Sequence, residues 1–570
     1  NKMKPLVLFF ISLNLLTQSY LDYPHPYHPT STKQGMVVSQ NYLSSDIGAE
    51  VLSKGGNAVD AAVAVGFSLT ATLPRAGNLG GGGFMLIYDA KSNAIASLDF
   101  RSMSPELAKP ERYRSSFKDD GAHDYELTRK GYKAIAVPGT VAGLLKAHEV
   151  YGTMDLIQLI QPTIELLKKG VPVTEDLYGA IQDTEYLTLD EESKKIYLNS
   201  EVVIGGKLFI DDLIKTLELI SKSGVKGFYE GETAEKIEAA MIKNGGFIRK
   251  SDLAKYKPRF IPAISTSYRG NTIFTQGPPS GGGVAILSAL NVLENFNLSE
   301  MDHDSGKYLH LLAEAMKFGH QSRSRYVGDP KFYNVPLEEL LSKDFAKLKS
   351  RTINLKRASK PDRFNKNARN LERQFIESKD TTHYSIIDDS GNAVSVTYTL
   401  GYSFGSGVTI EGTGILGNNQ MNNFAHEYGN NSYRRSASPA NKLESLKRPM
   451  STMAPIMVFN GDGKLALVTG SPGGSQIPNI NLQLLVNVLD FNLDIGEATM
   501  LPRIHQDSQE PELLVEKTVN FDTRRLLEVL GHNVEISDTI GSTQSIHIVE
   551  GVRYGYADLR RPNAKVSIKK

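Results

Sequence analysis

The stretch "DTTHYSIIDDSGNAVSVTYTL", from Asp380 to Leu400, predicts a β-hairpin whose first strand begins directly after an aspartate. Two runs rich in β-branched and aromatic residues, THYSII and AVSVTYTL, flank the turn-forming cluster DDSGN. A turn centred on Ser390 places Thr381 opposite Thr399, with their Cβ atoms roughly 5 Å apart. A two-residue turn would instead shift the register by one and move Thr399 to the other face of the sheet.

Thr381 is a candidate nucleophile on chemical grounds. A threonine hydroxyl within an uncut chain is a weak nucleophile because nothing nearby lowers its pKa. If the chain is cut before Thr381, the new α-amino group, with a pKa of about 8, is a base for the hydroxyl of the same residue. The alternative is that Thr381 and Thr399 are ordinary strand residues, since β-branched side chains favour strands.

The composition favours a small-molecule ligand over a nucleic acid. The 570 residues include 64 Lys and Arg against 63 Asp and Glu, so there is no excess of positive charge to bind a polyanion. The chain has no cysteine, which excludes thiolate nucleophiles, disulfides and zinc–thiolate sites and leaves oxygen or nitrogen for covalent catalysis. Its 12 histidines lack metal-binding spacing such as H-E-x-x-H, so neither a metal nor another cofactor is expected.

Residues 1–24 are interpreted as a signal peptide. Lys2 and Lys4 precede an apolar run over residues 6–16, which has the charge order of a secretory signal and is short for a membrane span. We therefore expect an exported protein, periplasmic or secreted. Because residues 19–21 (SYL) lack the small residue typical of a cleavage site, an uncleaved anchor or a buried N-terminal helix is the alternative.

The chain changes character at Asp380. Before this residue, apolar periodicity predicts a mostly helical body, with helices over 42–73 (broken at Gly55-Gly56), 140–150, 155–169, 208–222 and 307–326. Residues 356–380 are charged and poor in apolar side chains, which is typical of a solvated, mobile segment. Alternating strands and glycine loops follow, with helices over 480–489 and 523–530, so layered α/β packing is expected.

Ordered motifs along the chain resemble those of the γ-glutamyltranspeptidase family. After Asp380 the matching segments are TTHYSIIDDSGNAVSVTYTL, GILGNNQMNNF, KRPMSTMAP, GSPGGSQIP and GSTQSI. Before it they are GNAVDAAVAVGFSLTATLP, AGNLGGGGFML, DFRSMSP, VPGTVAG, YGTM and PPSGGG. The resemblance runs from about residue 35 to the C-terminus. It implies an N-terminal-nucleophile hydrolase of the α/β (α+β) class, folded as a four-layer αββα sandwich.

The resemblance further implies that the precursor cuts itself between Asp380 and Thr381. Residues 25–380 would then form a large subunit and residues 381–570 a small catalytic subunit, held together as a heterodimer. Thr381 would attack a γ-glutamyl amide, for which glutathione is the family's usual donor. Water, an amino acid or a peptide would accept the acyl group.

The resemblance also implies roles for residues around Thr381. Thr399 matches the threonine that hydrogen-bonds the amino end of the nucleophile, and Gly473 and Gly474 match the loop that forms the oxyanion hole. The residues matched to substrate binding are Arg101, Ser451 and Thr452 for the α-carboxylate, Gln420 for the α-amino group and Tyr433 for a lid over the pocket. A guanidinium suits a carboxylate because it offers a planar pair of donors.

Two positions depart from the family pattern at the amino end of the substrate. Asn423 stands where the usual pattern has an aspartate that pairs with the substrate ammonium, and Gly401 stands where many members have an asparagine. Both changes remove contacts to a free α-amino group. They favour a relaxed donor specificity, toward poly-γ-glutamate or glutaryl amides.

Three other interpretations exist for parts of this sequence. Residues 401–405 are a formal G-x-S-x-G with Ser403 as nucleophile, but a helix should follow and the sequence there, SGVTIEGTG, favours strands and turns. The loop GNLGGGG lacks the G-K-[ST] of a phosphate-binding loop. The third interpretation is a binding protein of this fold that does not mature, against which the intact Thr381, Thr399 and glycine pair argue.

Overall fold

The computed structural model describes residues 27–114, 126–361, 380–425 and 438–570. In these residues two antiparallel β-sheets pack face to face, and helices cover the outer face of each sheet. This architecture is the four-layer αββα sandwich that the resemblance implied. Segments before and after Asp380 contribute strands to each of the two sheets.

Each of the two large sheets combines seven strands from distant parts of the sequence. The strands in the described residues are β1 (Thr30–Thr32), β2 (Met36–Ser39), β3 (Gly82–Asp89), β4 (Ala94–Phe100), β5 (Val171–Pro172), β6 (Lys207–Leu208), β7 (Arg259–Ile261), β8 (Ile264–Tyr268), β9 (Asn271–Thr275), β10 (Thr382–Ile387), β11 (Ala393–Thr399), β12 (Thr409–Ile410), β13 (Ile415–Leu416), β14 (Ile456–Phe459), β15 (Leu465–Thr469), β16 (Ile504–Gln506), β17 (Glu512–Glu516), β18 (Asn533–Ser537), β19 (Gln544–Val549), β20 (Val552–Ala557) and β21 (Lys565–Ile568). One sheet has the order β21-β2-β10-β11-β3-β4-β7, and the other has the order β1-β20-β19-β15-β14-β9-β8.

The helices that the apolar periodicity predicted lie at or near the expected positions, and the structure contains further helices between them. Those in the described residues are α1 (Tyr42–Ser53), α2 (Ala58–Thr72), α3 (Glu126–Arg129), α4 (Thr140–Tyr151), α5 (Leu156–Lys169), α6 (Glu175–Gln182), α7 (Glu191–Tyr197), α8 (Asp211–Ser223), α9 (Lys226–Tyr229), α10 (Gly231–Lys243), α11 (Lys250–Lys255), α12 (Gly281–Leu293), α13 (Gly306–Tyr326), α14 (Leu337–Leu340), α15 (Lys343–Ser350), α16 (Ile477–Leu489), α17 (Ile495–Met500) and α18 (Phe521–Val529). The predicted break at residues 55–56 separates α1 from α2.

The central helix α2 fixes the outer face of the hairpin. Asn57 caps its N-terminus, because the Asn57 side chain accepts hydrogen bonds from the first turn of the helix. The Tyr384 hydroxyl of β10 donates to the carbonyl oxygen of Ala62 at 2.9 Å. The Tyr398 hydroxyl of β11 donates to the carbonyl oxygen of Gly66 at 2.9 Å. Two buried tyrosines therefore tie the hairpin to a helix that is itself buried along its whole length.

The hairpin has the register expected from a turn centred on Ser390. Thr382 pairs with Tyr398, and the same spacing places Thr381 opposite Thr399. The hairpin lies in the middle of its sheet, since β10 also pairs with β2 and β11 also pairs with β3. Its end is thus held on both sides by neighbouring strands.

The inner face of the hairpin contacts the second sheet. Ser385 donates to the carbonyl oxygen of Gln544 at 2.8 Å, and Ser395 donates to that of Thr469 at 3.0 Å. Buried apolar side chains fill the space between the sheets, including Met36, Val38, Leu86, Met457, Val468 and Ile546. This packing keeps the two sheets in a fixed relation.

Several expectations fall on residues outside the described ranges. They are the signal peptide over residues 1–24, the lid residue Tyr433 and most of the charged segment before Asp380. Among the described residues, no helix combines the length and the apolar character needed to cross a bilayer.

Candidate active site

The two threonines predicted to face each other lie side by side at the open end of the hairpin. Thr381 directly precedes β10, and Thr399 is the last residue of β11. The Thr381 hydroxyl donates to Thr399 Oγ1 at 3.2 Å. Their exposed fractions are 5 % and 6 %, so both hydroxyls are largely shielded while they remain at the wall of a cleft.

The hydroxyl of Thr399 has a fully determined orientation. It accepts from Thr381 and, at 2.9 Å, from the backbone N–H of Gly401. It donates at 3.0 Å to the carbonyl oxygen of Asp380. A hydroxyl has one donor and two acceptor positions, so all of them are used. Thr399 therefore links the candidate nucleophile to the carbonyl of the peptide bond that precedes it.

Gly401 occupies a backbone conformation that requires glycine. Its φ is +109°, and a Cβ built there would lie 2.0 Å from the Asn419 Oδ1 atom. That oxygen accepts from the N–H of Tyr402 at 3.0 Å. The space that a side chain at position 401 would need is thus filled by Asn419, which holds the turn that directs the Gly401 N–H to Thr399.

The glycine pair forms a tight turn before α16. Gly473 and Gly474 have φ values of +135° and +56°, and a short 3-10 helix over Gly474–Gln476 leads into α16. Thr452 Oγ1 donates to the carbonyl oxygen of Gly474 at 2.7 Å, which fixes the orientation of this peptide. Among the described residues, the N–H groups of Gly473 and Gly474 have no hydrogen-bond partner. Donors at a helix N-terminus suit a developing oxyanion.

Arg101 is a buried cation in the lining of the cleft, and oxygen acceptors hold its side chain in place. It is 2 % exposed, and its Nη2 atom donates to Asn423 Oδ1 at 2.7 Å. Its Nε atom donates to the carbonyl oxygen of Pro449 at 3.4 Å. The Tyr256 hydroxyl donates to the Arg101 carbonyl oxygen at 2.8 Å and fixes the backbone. The guanidinium is thereby preorganised to receive a carboxylate.

One cleft brings most of the predicted residues together. Those that line it are Arg101, Thr381, Thr399, Gly401, Asn423, Ser451, Thr452 and Gly474. The described lining contains the cations Arg101 and Arg323 and no carboxylate. The cleft therefore favours an anionic group and offers no described counter-charge to an ammonium.

Two predicted residues lie behind this lining. Gln420 is fully buried, and its Nε2 atom donates to the carbonyl oxygen of Thr399 at 2.7 Å. Gly473 adjoins the lining residue Gly474 but is not itself part of the lining. In this structure Gln420 thus supports Thr399 from behind.

Sequence reasoning missed Arg323, which lines the cleft from α13. Its Nε atom donates to His320 Nδ1 at 3.0 Å, and its Nη2 atom lies 3.4 Å from Asp507 Oδ2. No local pattern marked Arg323, since a charged residue in a helix is usually solvent-exposed. The other lining residues that were not predicted are Met450, Met453 and Ser475.

Comparisons with known proteins agree with this geometry. A family model described as gamma-glutamyltranspeptidase matches residues 44–568. The chain belongs to the gamma-glutamyltranspeptidase family. It is 42% identical over 541 residues to the glutathione hydrolase proenzyme of Escherichia coli (strain K12), covering 94% of this chain and 92% of that protein. This confirms the family that the motifs indicated.

Acylases are also among the relatives of this γ-glutamyltranspeptidase family member. It is 33% identical over 516 residues to the Acylase ACY 1 proenzyme of Pseudomonas sp. (strain SE83), covering 89% of this chain and 88% of that protein. A solved structure, cephalosporin acylase from Bacillus halodurans, superposes with a TM-score of 0.84 at 26% identity and covers 97% of this chain and 99% of that chain. The expected fold class is thus confirmed.

His383 lies two residues after Thr381 but is not a base for it. The imidazole is buried and contacts the hydroxyl oxygens of Thr397 at 2.8 Å and Ser385 at 3.0 Å. Burial lowers the pKa of His383 to about 3, so the ring is neutral at physiological pH. Its contacts lie within the hairpin, which makes it a structural histidine of this γ-glutamyltranspeptidase fold.

The alternative nucleophile Ser403 does not have the geometry of a nucleophile elbow. Turns follow it, and then the short strand β12, where an elbow needs a helix. The Ser403 carbonyl oxygen accepts a short hydrogen bond from the Tyr186 hydroxyl. The glycine loop GNLGGGG likewise leads into β3 and not into a helix.

One described cluster has the side chains of a metal site. His310, Glu314 and His532 bring their ligand atoms within 4.8 Å of one another. His310 Nδ1 and His532 Nε2 are 2.7 Å apart, which is a hydrogen-bond distance between the two rings. The Glu314 carboxylate accepts from Lys317 at 2.8 Å, so a cation already neutralises it. Each of the three side chains thus already makes a hydrogen bond or an ion pair within the protein.

Proposed function

We propose that this family member hydrolyses or transfers γ-glutamyl groups after cutting itself between Asp380 and Thr381. The supporting observation is the hydrogen-bonded chain from the Thr381 hydroxyl through Thr399 to the carbonyl oxygen of Asp380, at the wall of the cleft. The nucleophile, the peptide bond to be cut and the substrate cleft lie together.

In the self-cleavage step, the hydroxyl oxygen of Thr381 attacks the carbonyl carbon of Asp380. An ester forms as the C–N bond breaks, and the hydroxyl proton passes to the released amine. Thr399 stabilises the charge that develops on the carbonyl oxygen, because its hydroxyl already donates to this atom. Water then hydrolyses the ester, which leaves a carboxylate on Asp380 and a free α-amino group on Thr381.

In the transfer step, Thr381 attacks the γ-amide carbonyl of a donor such as glutathione. Its own α-amino group takes the hydroxyl proton and gives it to the leaving amine. The N–H groups of Gly473 and Gly474 hold the oxyanion. Water, an amino acid or a peptide then attacks the γ-glutamyl-Thr381 ester and releases the product. The steps use no metal and no other cofactor.

The α-carboxylate of the donor binds to Arg101. The hydroxyl groups of Ser451 and Thr452 lie in the same lining, and Ser451 adds a neutral donor to the guanidinium. Thr452 joins it as a donor when its hydroxyl leaves the carbonyl oxygen of Gly474. Gln420 is assigned to the amino end of the substrate by the family resemblance, and its hydrogen bond to the Thr399 carbonyl oxygen supports the wall of the cleft from behind. Tyr433 belongs to a lid that closes over the bound donor.

The two products of self-cleavage stay associated. Residues 25–380 form the large subunit and residues 381–570 the small subunit of a heterodimer. Support comes from the sheet order, since β10 and β11 of the small subunit pair with β2 and β3 of the large one. Residues 1–24 direct export, to the periplasm or to the outside of the cell.

A second candidate function is the cleavage of glutaryl amides or of poly-γ-glutamate. It is favoured by Asn423, whose Oδ1 atom accepts from Arg101, and by the lack of a carboxylate in the described lining. A donor without an α-ammonium group loses nothing in such a cleft. The identity with the Acylase ACY 1 proenzyme supports this candidate.

Denaturing electrophoresis and mass spectrometry test the proposal. The purified wild-type protein should give fragments of about 40 and about 20 kDa, in proportion to 62.6 kDa for the whole chain, and the smaller one should begin with TTHYS. Thr381→Ala should remain a single chain. After brief incubation with glutathione, the small fragment should gain the mass of one γ-glutamyl group on Thr381. A Thr381→Ala protein that both matures and turns over substrate would contradict the mechanism.

A further inference from the structure

A buried charge cluster holds the side chain of Asp380, next to the bond that is to be cut. The Arg75 guanidinium donates through Nη1 to the Asp380 carboxylate in a short contact. Through Nη2 it donates to both oxygens of Asp176, at 3.1 and 3.0 Å. The Arg75 side chain is only 7% exposed. One guanidinium therefore bridges two carboxylates away from bulk water.

The cluster is assembled from elements that are far apart in the sequence. Arg75 follows α2, Asp176 lies in the first turn of α6, and Asp380 immediately precedes the nucleophile. The Arg75 carbonyl oxygen accepts from the N–H of Phe404 at 2.9 Å, in the turn after the second strand of the hairpin. Its backbone is thus fixed to the same hairpin that carries Thr399.

The charges in the cluster balance one another. Burial by itself would lower the pKa of Arg75, but the carboxylates of Asp380 and Asp176 overcome this effect and raise it. Arg561 is a second cation within electrostatic range of Asp380 and Asp176, although burial and the charge of Arg75 lower its pKa. The Asp380 carboxylate therefore meets a preorganised cationic partner instead of solvent.

We infer that Arg75 is a positioning residue for self-cleavage. It fixes the Asp380 side chain, so that the scissile carbonyl oxygen remains hydrogen-bonded to the Thr399 hydroxyl. The inference rests on the proposed self-cleavage and adds a residue to it. Arg75 holds the side chain of Asp380 while Thr399 holds its carbonyl oxygen. With both groups fixed, the peptide plane has little freedom to rotate, and the carbonyl carbon stays within reach of the Thr381 hydroxyl.

Asp176 has a supporting part in this arrangement. Because it accepts from Arg75 through both carboxylate oxygens, it holds the guanidinium plane in place and leaves Nη1 directed at Asp380. Arg75 itself is not part of the described lining of the cleft. Its influence is therefore expected on maturation more than on the turnover of matured enzyme.

The test is a time course of self-cleavage in freshly translated full-length precursor, followed by denaturing electrophoresis. We expect Arg75→Gln to slow the cleavage by about tenfold or more, which is the effect of losing one charge-assisted hydrogen bond at the reacting peptide. Arg75→Lys keeps the charge without the planar fork and should be slowed less. Arg269→Gln is the matched control, because it removes another arginine–aspartate pair, with Asp490 at 2.8 Å, and should cleave at the wild-type rate.

A double-variant comparison separates positioning from a general loss of structure. If Arg75 acts through the Asp380 carboxylate, Asp380→Asn should slow cleavage to a similar extent. Arg75→Gln combined with Asp380→Asn should then be no slower than the slower single variant. Rate losses that multiply would overturn the inference. Circular dichroism and the turnover per matured site report on folding, and Asp380→Asn keeps the test valid if Arg75→Gln does not fold.

The outcomes distinguish this inference from the proposed function. Wild-type cleavage together with an unchanged rate in Arg75→Gln would overturn the role of Arg75 alone. A wild-type chain that stays intact would overturn the proposed self-cleavage and this inference with it. Slow cleavage in Arg75→Gln, partial recovery in Arg75→Lys and normal cleavage in Arg269→Gln would support the role.

Discussion

Replacing Asn423 by aspartate should restore a preference for donors that carry an α-ammonium group. The Asn423 Oδ1 atom lies 2.7 Å from Arg101 Nη2 at the cleft, so a carboxylate there would add one negative charge to a described lining that has two cations. Two unit charges about 4 Å apart interact by about 4 kcal/mol at an effective dielectric constant of about 20. The new carboxylate must also share its charge with Arg101 and give up hydration, which leaves about 1.5–3 kcal/mol for the substrate.

This energy corresponds to a rise of about tenfold to about a hundredfold in the preference for the γ-glutamyl donor over the glutaryl donor. The assay compares kcat/KM for γ-glutamyl-anilide and glutaryl-anilide in the wild type and in Asn423→Asp. The ratio of the two should shift toward the γ-glutamyl donor in Asn423→Asp. Asn422→Asp is the matched control, because Asn422 accepts from Thr128 at 3.2 Å and is not part of the described lining. An unchanged ratio in Asn423→Asp, or an equal shift in the control, would refute the reasoning.

The other predictions concern the hairpin. Thr399→Val should slow self-cleavage by about a hundredfold or more, because the scissile carbonyl oxygen loses its hydrogen-bond donor. Thr399→Ser keeps a hydroxyl and should cleave much faster than Thr399→Val in the same electrophoretic time course. Gly401→Ala should lower the free energy of unfolding by about 1–3 kcal/mol in urea titrations, since φ is +109° there and the new Cβ would clash with Asn419. Gly463→Ala is the control, because φ is +72° there and the space around the new Cβ is open, and it should lower the free energy of unfolding by less. Because the pKa of His383 is lowered to about 3, the unfolded state gains a proton below about pH 6.5 that the folded state does not. Stability should therefore fall as the pH drops from about 6.5 toward 3, and His383→Gln should reduce this slope in urea titrations at several pH values.

The hairpin was predictable because strand pairing is periodic. A turn of known centre fixes every partner along both strands, so the pairing of Thr382 with Tyr398 followed from the sequence and is confirmed. The turn glycines were equally visible, since Gly473 and Gly474 with positive φ are what a glycine pair in a loop indicates. Local chemistry thus predicted the candidate nucleophile and its partner, whereas the role of the glycine pair was implied by the family resemblance.

The charges around the scissile bond were not predictable in this way. Arg75, Asp176 and Arg323 lie in a loop or in helices, where charged residues are normally solvated. Each is brought to the site by tertiary packing between segments separated by a hundred residues or more, and no spacing rule connects them. Gln420 is a second example of a contact that the sequence could not predict. Its motif match implied a contact with the substrate, whereas its amide donates to the backbone carbonyl oxygen of Thr399.

The proposed cut falls where it costs the fold least. The pairing of β10 with β11 begins at Thr382, and its pairing with β2 begins at Tyr384, so a break before Thr381 removes no strand pair. Once the Asp380 carbonyl leaves, the hydroxyl of Thr399 loses its acceptor, and the nearest new polar group is the α-amino group of Thr381. The same hydroxyl can then bond to that amino group and hold it as the base for the Thr381 hydroxyl. In the proposed sequence of steps, one threonine at the end of β11 therefore acts twice, first at the bond that is cut and then at the nucleophile that the cut creates.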